Sequence, residues 1–134
     1  MLKRIATASI VLMLVASGAA FAAGLTTGTK VTLHNTSLGK RIATSTGRTL
    51  YLLASGSCTG GCLQSWPPLT TKGKPVAGMG VKQSLLGTAK LGAKLQVTYN
   101  KHRLYRYTGD TAAGQANGEG LAHFYTVKAS GRKG

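Results

Sequence analysis

The stretch at positions 96–110, QVTYNKHRLYRYTGD, is the part of the chain from which the rest can be interpreted. Two strand-like runs flank an Asn-Lys corner at positions 100 and 101, a pattern that is typical of a β-hairpin. The second run ends in the motif Tyr105-x-Tyr107-x-x-Asp110. A partial copy, GRTLYLL, occurs upstream at positions 47–53. We therefore expect two related hairpin units that face each other.

Outward from this stretch, short runs of β-branched, aromatic and aliphatic residues alternate with turn residues. Turn signals that recur every eight to twelve residues are typical of all-β domains. The pattern predicts an all-β fold, a compact antiparallel domain of about seven short strands with one loop that carries a disulfide. The expected strands are Lys30–His34, Lys40–Thr44, Arg48–Leu53, Gly87–Lys90, Lys94–Tyr99, Arg103–Thr108 and His123–Lys128.

Large aliphatic residues are scarce, so we expect aromatic side chains to supply much of the core. The aromatic residues in question are Tyr51, Trp66, Tyr99, Tyr105, Tyr107, Phe124 and Tyr125.

The N-terminal segment has the three parts of a secretory signal peptide. Lys3 and Arg4 precede an apolar run, and Ala20-Phe21-Ala22 offers a cleavage site. We expect residues 1–22 to be a signal peptide and residues 23–134 to form a single β domain with a frayed basic C-terminal tail. The apolar run is too short for a stable transmembrane segment. No cysteine lies near the cut, so we expect no lipid anchor and a periplasmic or secreted protein.

The charge of the chain is strongly one-sided, with 17 Lys and Arg against two acids, Asp110 and Glu119, and a formal net charge of +15. Removal of Lys3 and Arg4 with the signal peptide lowers this to about +13. Scattered cations favour polyanions such as anionic envelope polymers or nucleic acid, bound without sequence preference. The alternative is that the charge keeps a secreted domain, expected to be a monomer, in solution.

The two cysteines, Cys58 and Cys62, are separated by Thr-Gly-Gly. In an exported protein the oxidised form is expected, and two glycines let the backbone close so small a ring. The alternatives are a redox-active pair or a metal site. A redox pair usually has two intervening residues, and a zinc site needs two further ligands, for which the chain offers three histidines.

Six motifs follow one another along the chain: GRTLY at 47–51, CTGGC at 58–62, WPPL at 66–69, QVTYN at 96–100, LYRYTGD at 104–110 and GEGL at 118–121. Together they resemble a bacterial secreted-repeat family, often described as predicted lipoproteins with a Tyr-x-(Phe/Trp/Tyr)-x-x-Asp motif. The resemblance covers positions 38–128 and implies an exported repeat with no established reaction. The motif residues are Tyr51, Trp66, Tyr105, Tyr107 and Asp110.

The upstream motif copy departs from this pattern, since its third position is Leu53 and its acid is replaced by Gly56. Asp110 alone can therefore carry a role that needs the acid. Its carboxylate can accept backbone N–H bonds from the glycine-rich loop that follows, as Asp often does in turns. Alternatively, oxygen ligands in that loop bind a hard cation. The candidate ligands are Asp110, Gln115, Asn117 and Glu119.

Trp66 and the two prolines after it have two interpretations. The Trp side chain caps the core beside the disulfide, or it forms a flat platform for a sugar or peptide.

No spacing suggests a Ser/His/Asp arrangement, and one Asp with one Glu is too little for a glycosidase pair. We therefore expect no catalytic residue, no cofactor and no resident metal, in a protein that is not an enzyme. The sequence favours an exported envelope-associated binding or structural module. The alternative is a small redox or metal-handling envelope protein that uses Cys58 and Cys62.

Overall fold

A computed structural model describes residues 28–134, so the expected signal peptide at residues 1–22 lies outside the described residues. Short strands dominate this part of the chain, and the expected all-β fold is confirmed. One helical turn, α1 (Cys62–Ser65), and two 3₁₀ turns, Gln83–Leu85 and Leu121–His123, interrupt them. The strands are β1 (Lys30–Thr36), β2 (Gly39–Thr44), β3 (Tyr51–Leu53), β4 (Thr70–Thr71), β5 (Val76–Ala77), β6 (Leu86–Leu91), β7 (Lys94–Tyr99), β8 (His102–Arg103) and β9 (Phe124–Thr126).

Two antiparallel hairpins form the frame, β1–β2 and β6–β7. β4 and β8 extend the second hairpin along β7, and β3 pairs with β9. One pair departs from the expected antiparallel order, because β5 runs parallel to β1. A parallel pair needs a long connection, and the chain between β1 and β5 is long enough to supply it.

The corner between β7 and β8 forms where the sequence predicts it. Asn100 and Lys101 have φ angles of 49° and 67°, which is the left-handed backbone that a two-residue hairpin turn requires. Asn accepts this conformation more readily than most residues. The corner returns the chain so that Thr98 pairs with Arg103.

Three predicted strands are shorter than expected, and one of them, His123–Lys128, is reduced to β9. Of Arg48–Leu53 only β3 belongs to a ladder, and of Arg103–Thr108 only Arg103 does. In both of the other stretches, the backbone changes its hydrogen-bond partner from residue to residue. In the second stretch, Leu104 N donates to Val97 O and the next amide, that of Tyr105, donates to Tyr51 O. No continuous ladder can form when the partner changes in this way.

The sequence predicts a frayed C-terminal tail at Ala129–Gly134, but the backbone of this segment is hydrogen-bonded to the domain. Lys128 N donates to Arg132 O at 2.9 Å, and Gly134 N donates to Thr126 O at 2.6 Å. The hydroxyl of Tyr99 donates to Ala129 O at 2.6 Å and fastens the turn to β7. The tail is ordered because its backbone groups find partners in the domain, which residue composition alone does not reveal.

The core consists of two apolar clusters. The larger one is mainly aliphatic and joins the two hairpins, with Ile42, Val97 and Tyr99 fully buried. The smaller one is aromatic and combines residues from both halves of the chain. Its buried members are Tyr51, Cys58, Trp66, Tyr105 and Phe124, with Leu53, Cys62, Leu63 and Tyr107 packed against them.

Candidate functional site

The two motif tyrosines are paired directly across the middle of the domain. Tyr51 N donates to Tyr105 O at 2.8 Å, and Tyr105 N donates to Tyr51 O at 2.9 Å. This reciprocal pair is an antiparallel bridge in which both side chains are buried. The expected face-to-face arrangement of two related units is therefore present.

After each tyrosine the chain pairs with a segment of the other unit. In the first unit, Leu53 lies opposite Phe124 in the β3–β9 ladder. In the second unit, Tyr105 forms a bridge with Pro68, and Arg106 N donates to Pro67 O at 2.8 Å. Each unit thus completes its partner with a short C-terminal segment. This is an exchange of equivalent elements, like that of domain-swapped dimers, but within one chain.

The hairpins follow the same rule. Ile42 N of the first unit donates to Val127 O, and Val97 N of the second donates to Leu69 O, both at 2.8 Å. We define the first repeat as residues 31–69 and the second repeat as residues 86–127. Each repeat begins with a hairpin and ends with the segment that pairs with the other repeat.

The aromatic rings of the two repeats are arranged in nearly the same geometry. The rings of Trp66 and Phe124 stack with centroids 3.8 Å apart and planes 10° from parallel. Tyr51 meets the Trp66 ring edge to face at 5.3 Å and 78°, and Tyr105 meets the Phe124 ring at 5.3 Å and 79°. Such equal geometry is what a two-fold pseudo-symmetry axis through the Trp66–Phe124 stack produces.

Trp66 is covered on both faces, which argues against a ligand platform. Phe124 lies on one face, and Tyr107 stacks at 4.4 Å and 27°. Only 5% of the Trp66 surface is exposed. The side chain therefore belongs to the core.

Asp110 lies at the centre of a buried hydrogen-bond network that joins the repeats. The Tyr51 hydroxyl donates to Asp110 Oδ2 at 2.5 Å, and Asn117 N donates to Oδ1 at 2.8 Å. Gly118 N in turn donates to the Tyr51 hydroxyl at 3.2 Å. Arg48 Nη1 donates to the Asp110 backbone carbonyl at 3.0 Å. The acid of the second repeat therefore fixes the tyrosine of the first.

The network keeps Tyr51 protonated. Burial raises the pKa of the Tyr51 hydroxyl well above its ordinary value, and the hydrogen bond to Asp110 raises it further. The Asp110 carboxylate accepts a hydrogen bond from the protonated Tyr51 hydroxyl, and this bond anchors the loop that contains Asp110. The close packing also requires Gly118, because a Cβ there would come within 2.7 Å of the Trp66 ring.

Each of the other candidate cation ligands makes hydrogen bonds within the protein. Gln115 Oε1 accepts from Thr111 N at 2.6 Å, and Glu119 Oε2 accepts from Thr126 N at 2.7 Å. The Asn117 side-chain amide donates to Gly109 O at 3.3 Å. Within residues 28–134, no three His, Cys, Asp or Glu side chains are grouped as metal ligands. These side chains hold the loop together, and the cation site stays a prediction.

Cys58 and Cys62 form the expected disulfide, with Cα atoms 5.3 Å apart. Gly60 allows the tight turn between them, since its φ of +57° lies in the left-handed region. Cys62 is also the first residue of α1, and Cys58 packs into the aromatic cluster. Both sulfur atoms are bonded to each other, so in this state they are not thiolate ligands. Nothing in the geometry tests the redox alternative.

Tyr51 and Asp110 are recognisable in the sequence as motif residues, but their hydrogen bond to each other was not predicted. The roles of Arg48 and Gly118 were not predicted either, although both residues lie in motifs quoted above, GRTLY and GEGL. The signal lay in those two motifs. Its meaning required the exchange of segments between repeats.

The family model described as a secreted repeat of unknown function matches residues 86–127. Residues 86–127 are thus similar to this secreted repeat. The match begins at the first residue of β6 and ends one residue after β9, so it covers the second repeat as defined by its bonds. The resemblance drawn from the motifs is confirmed there.

The first repeat lies outside this match and is related to the second through its hydrogen bonds and ring geometry. No curated protein and no solved structure is significantly similar to the chain. The family description agrees with the expected export. Among the helices of residues 28–134, none has the length and apolar character needed to cross a bilayer.

Proposed function

We propose that the protein is an exported, non-enzymatic module of the bacterial envelope that binds anionic polymers through its cationic surface. The proposal is supported by the different locations of the acidic and the basic side chains. Asp110 is buried, and Glu119 is half-buried with one carboxylate oxygen bonded to a backbone N–H of β9. Both acids therefore serve the interior of the fold.

The cations, in contrast, face solvent. Apart from Lys3 and Arg4, every Lys and Arg of the chain lies in the described part, and each is exposed or half-buried. With both acids engaged in internal hydrogen bonds, little negative charge opposes them at the surface. A potential of one sign over a whole surface attracts polyanions from any direction.

The expected partners are polymers that repeat a phosphate or carboxylate group, such as the phosphate-rich polymers of an envelope or extracellular nucleic acid. Neutralised phosphates release counterions, so affinity falls steeply with salt. The aromatic rings that could stack on bases are largely consumed in the core, as Trp66 and Phe124 show. Binding is therefore electrostatic and independent of sequence.

The non-enzymatic part of the proposal has separate support. The polar side chains that the repeat motif supplies are used to hold loops, since Asp110 binds Tyr51 and Asn117 N. Tyr51 keeps its proton under ordinary conditions, because burial raises its pKa. A buried, fully hydrogen-bonded acid of this kind has a structural role.

The test is a titration of fluorescent heparin and of a single-stranded oligonucleotide at low and moderate salt. We expect binding to both at low salt and a loss of orders of magnitude in affinity as salt rises. Two double variants with an equal change of charge are compared: Lys30→Gln with Lys74→Gln, and Lys82→Gln with Lys128→Gln. Both should lower affinity by similar amounts. An absence of binding at low salt, or binding that ignores salt, contradicts the proposal.

A further inference from the structure

An open cavity of about 480 Å³ lies beside Tyr105, next to the disulfide loop of the first repeat. We call it the Tyr105 cavity. It occupies the side of the pseudo-symmetry axis opposite to the Asp110 network. Residues of both repeats line it, among them Gly56, Ser57, Lys90, Lys101, His102 and Arg103.

The two motif tyrosines differ in what their hydroxyl groups bind. The Tyr51 hydroxyl donates to the Asp110 carboxylate. Asp110 lies five residues after Tyr105, and Gly56 lies five residues after Tyr51. Gly56 therefore occupies the position in the first repeat that corresponds to Asp110. Glycine has no side chain to offer, and the first repeat therefore lacks the carboxylate that would meet Tyr105.

The Tyr105 hydroxyl has no hydrogen-bond partner among the residues from 28 to 134. No buried side-chain oxygen or nitrogen in that part of the chain lacks a partner, so this hydroxyl is not sealed off from solvent. Tyr105 is only 4% exposed, and the opening that it borders is the Tyr105 cavity. A hydrogen-bond donor thus lines an open, roomy site.

The charge around this donor has one sign. Lys90, Lys101 and Arg103 line the cavity, and neither acid of the chain does. Arg103 is held in place, since its Nη1 donates to Gln96 Oε1 at 2.8 Å and its Nη2 to Lys90 O at 2.9 Å. An oriented guanidinium and two ammonium groups favour an anion at the position next to the tyrosine.

We propose that the Tyr105 cavity binds the carboxylate of an external ligand, which accepts a hydrogen bond from the Tyr105 hydroxyl. The ligand supplies the group that Asp110 supplies in the second repeat. A small organic acid, an acidic sugar and a peptide C-terminus share this group. The site needs the Tyr105 hydroxyl in addition to the cations around it, whereas the polymer binding proposed above needs only surface charge, so the two proposals can be tested separately.

The experiment is an NMR titration of ¹⁵N-labelled protein with sodium acetate, with sodium phosphate and chloride at equal ionic strength as comparisons. We expect acetate to shift the amide signals of Gly56, Ser57 and Gly92, which line the cavity. Tyr105→Phe should weaken this binding by at least about tenfold, because a hydrogen bond to a charged group is lost. Tyr125→Phe, a half-buried tyrosine outside the cavity, is the matched control and should leave it unchanged.

Heparin affinity separates this proposal from the previous one, since Tyr105→Phe should leave it intact. If Tyr105→Phe fails to fold, Lys101→Asn replaces it; Asn tolerates the left-handed backbone at that position and removes one cation. Acetate binding that is weaker in Lys101→Asn but unchanged in Lys74→Asn, which removes a cation outside the cavity, supports the site. Shifts that are spread over the whole surface, or equal in wild type and Tyr105→Phe, overturn the proposal. Binding of phosphate without acetate overturns the assignment to a carboxylate.

Discussion

The loops that follow the two motif tyrosines occupy equivalent places in the fold and are closed by different chemistry. In the second repeat, the loop that begins after Tyr107 is anchored by Asp110, which binds Tyr51 of the first repeat. In the first repeat, the corresponding loop lacks an acid and is closed on itself by the Cys58–Cys62 disulfide. The loop of the second repeat is therefore bound to the first repeat, whereas the loop of the first repeat is closed by a bond within the loop itself.

This difference separates two tasks that a motif residue can perform. A disulfide restricts the loop in the unfolded chain as well, so its stabilisation is largely local. A buried hydrogen bond between repeats acts only in the folded state and links one repeat to the other. The comparison therefore predicts that the acid, and not the disulfide, transmits stability between the halves of the domain.

The largest effects are expected where the repeats share their core. Trp66→Ala and Phe124→Ala should each lower the free energy of unfolding by about 3–5 kcal/mol, because each leaves a cavity in the shared stack. Trp66→Ala should have the greater effect, since Trp66 also stacks on Tyr107. Urea unfolding followed by circular dichroism measures both values. Two separate transitions in either variant would show that the repeats are stabilised independently.

Asp110→Ala should lower the free energy of unfolding by about 3 kcal/mol, because the buried Tyr51 hydroxyl and Asn117 N both lose their acceptor. The matched control is Glu119→Ala, which removes the other acid and one bond to Thr126 N. It should cost about 1 kcal/mol. Thermal or urea unfolding compares the two. Equal effects would mean that charge, and not the network, accounts for the loss.

Removing the disulfide should have a smaller effect. Replacement of Cys58 and Cys62 by Ala should lower the free energy of unfolding by about 2 kcal/mol or less, because the ring is short. Amide hydrogen exchange should quicken in the first-repeat loop and stay unchanged around Asp110. Faster exchange in both loops would contradict the view that the disulfide acts locally.

Several features of the fold could be predicted from local sequence alone. The hairpin at Asn100 follows from turn chemistry alone, and the strand β7 has the predicted bounds, Lys94–Tyr99. Both depend on neighbouring residues. The disulfide was equally accessible, because Cys58 and Cys62 are the two cysteines of the chain and lie close together.

The exchange between repeats could not be predicted in the same way. The pairing of Leu53 with Phe124 joins residues far apart in sequence, and local propensity says nothing about such partners. For the same reason, Asp110 could be given a structural role, yet its partner Tyr51 could not be named. The tail at Ala129–Gly134 was interpreted from its composition, although backbone partners in the domain order it.

A smaller effect is expected at high pH. The pKa of Tyr51 is raised in the folded state, so its contribution is complete below about pH 10, the ordinary pKa of Tyr, and is lost as pH rises beyond it. Between pH 10 and 11, wild type should lose up to about 1.4 kcal/mol more than Tyr51→Phe. Urea unfolding of both proteins across that range measures the difference. Parallel curves would contradict a raised pKa at Tyr51.

The acid of the second repeat forms its hydrogen bond with the tyrosine of the first repeat and not with its own. A double-mutant cycle of Tyr51→Phe with Asp110→Ala tests it most directly, with Tyr105→Phe and Asp110→Ala as the matched cycle. We expect a coupling energy of about 2 kcal/mol for Tyr51 and close to zero for Tyr105. Additive effects in the Tyr51 cycle, or equal coupling in both cycles, would contradict the exchange of contacts between the repeats.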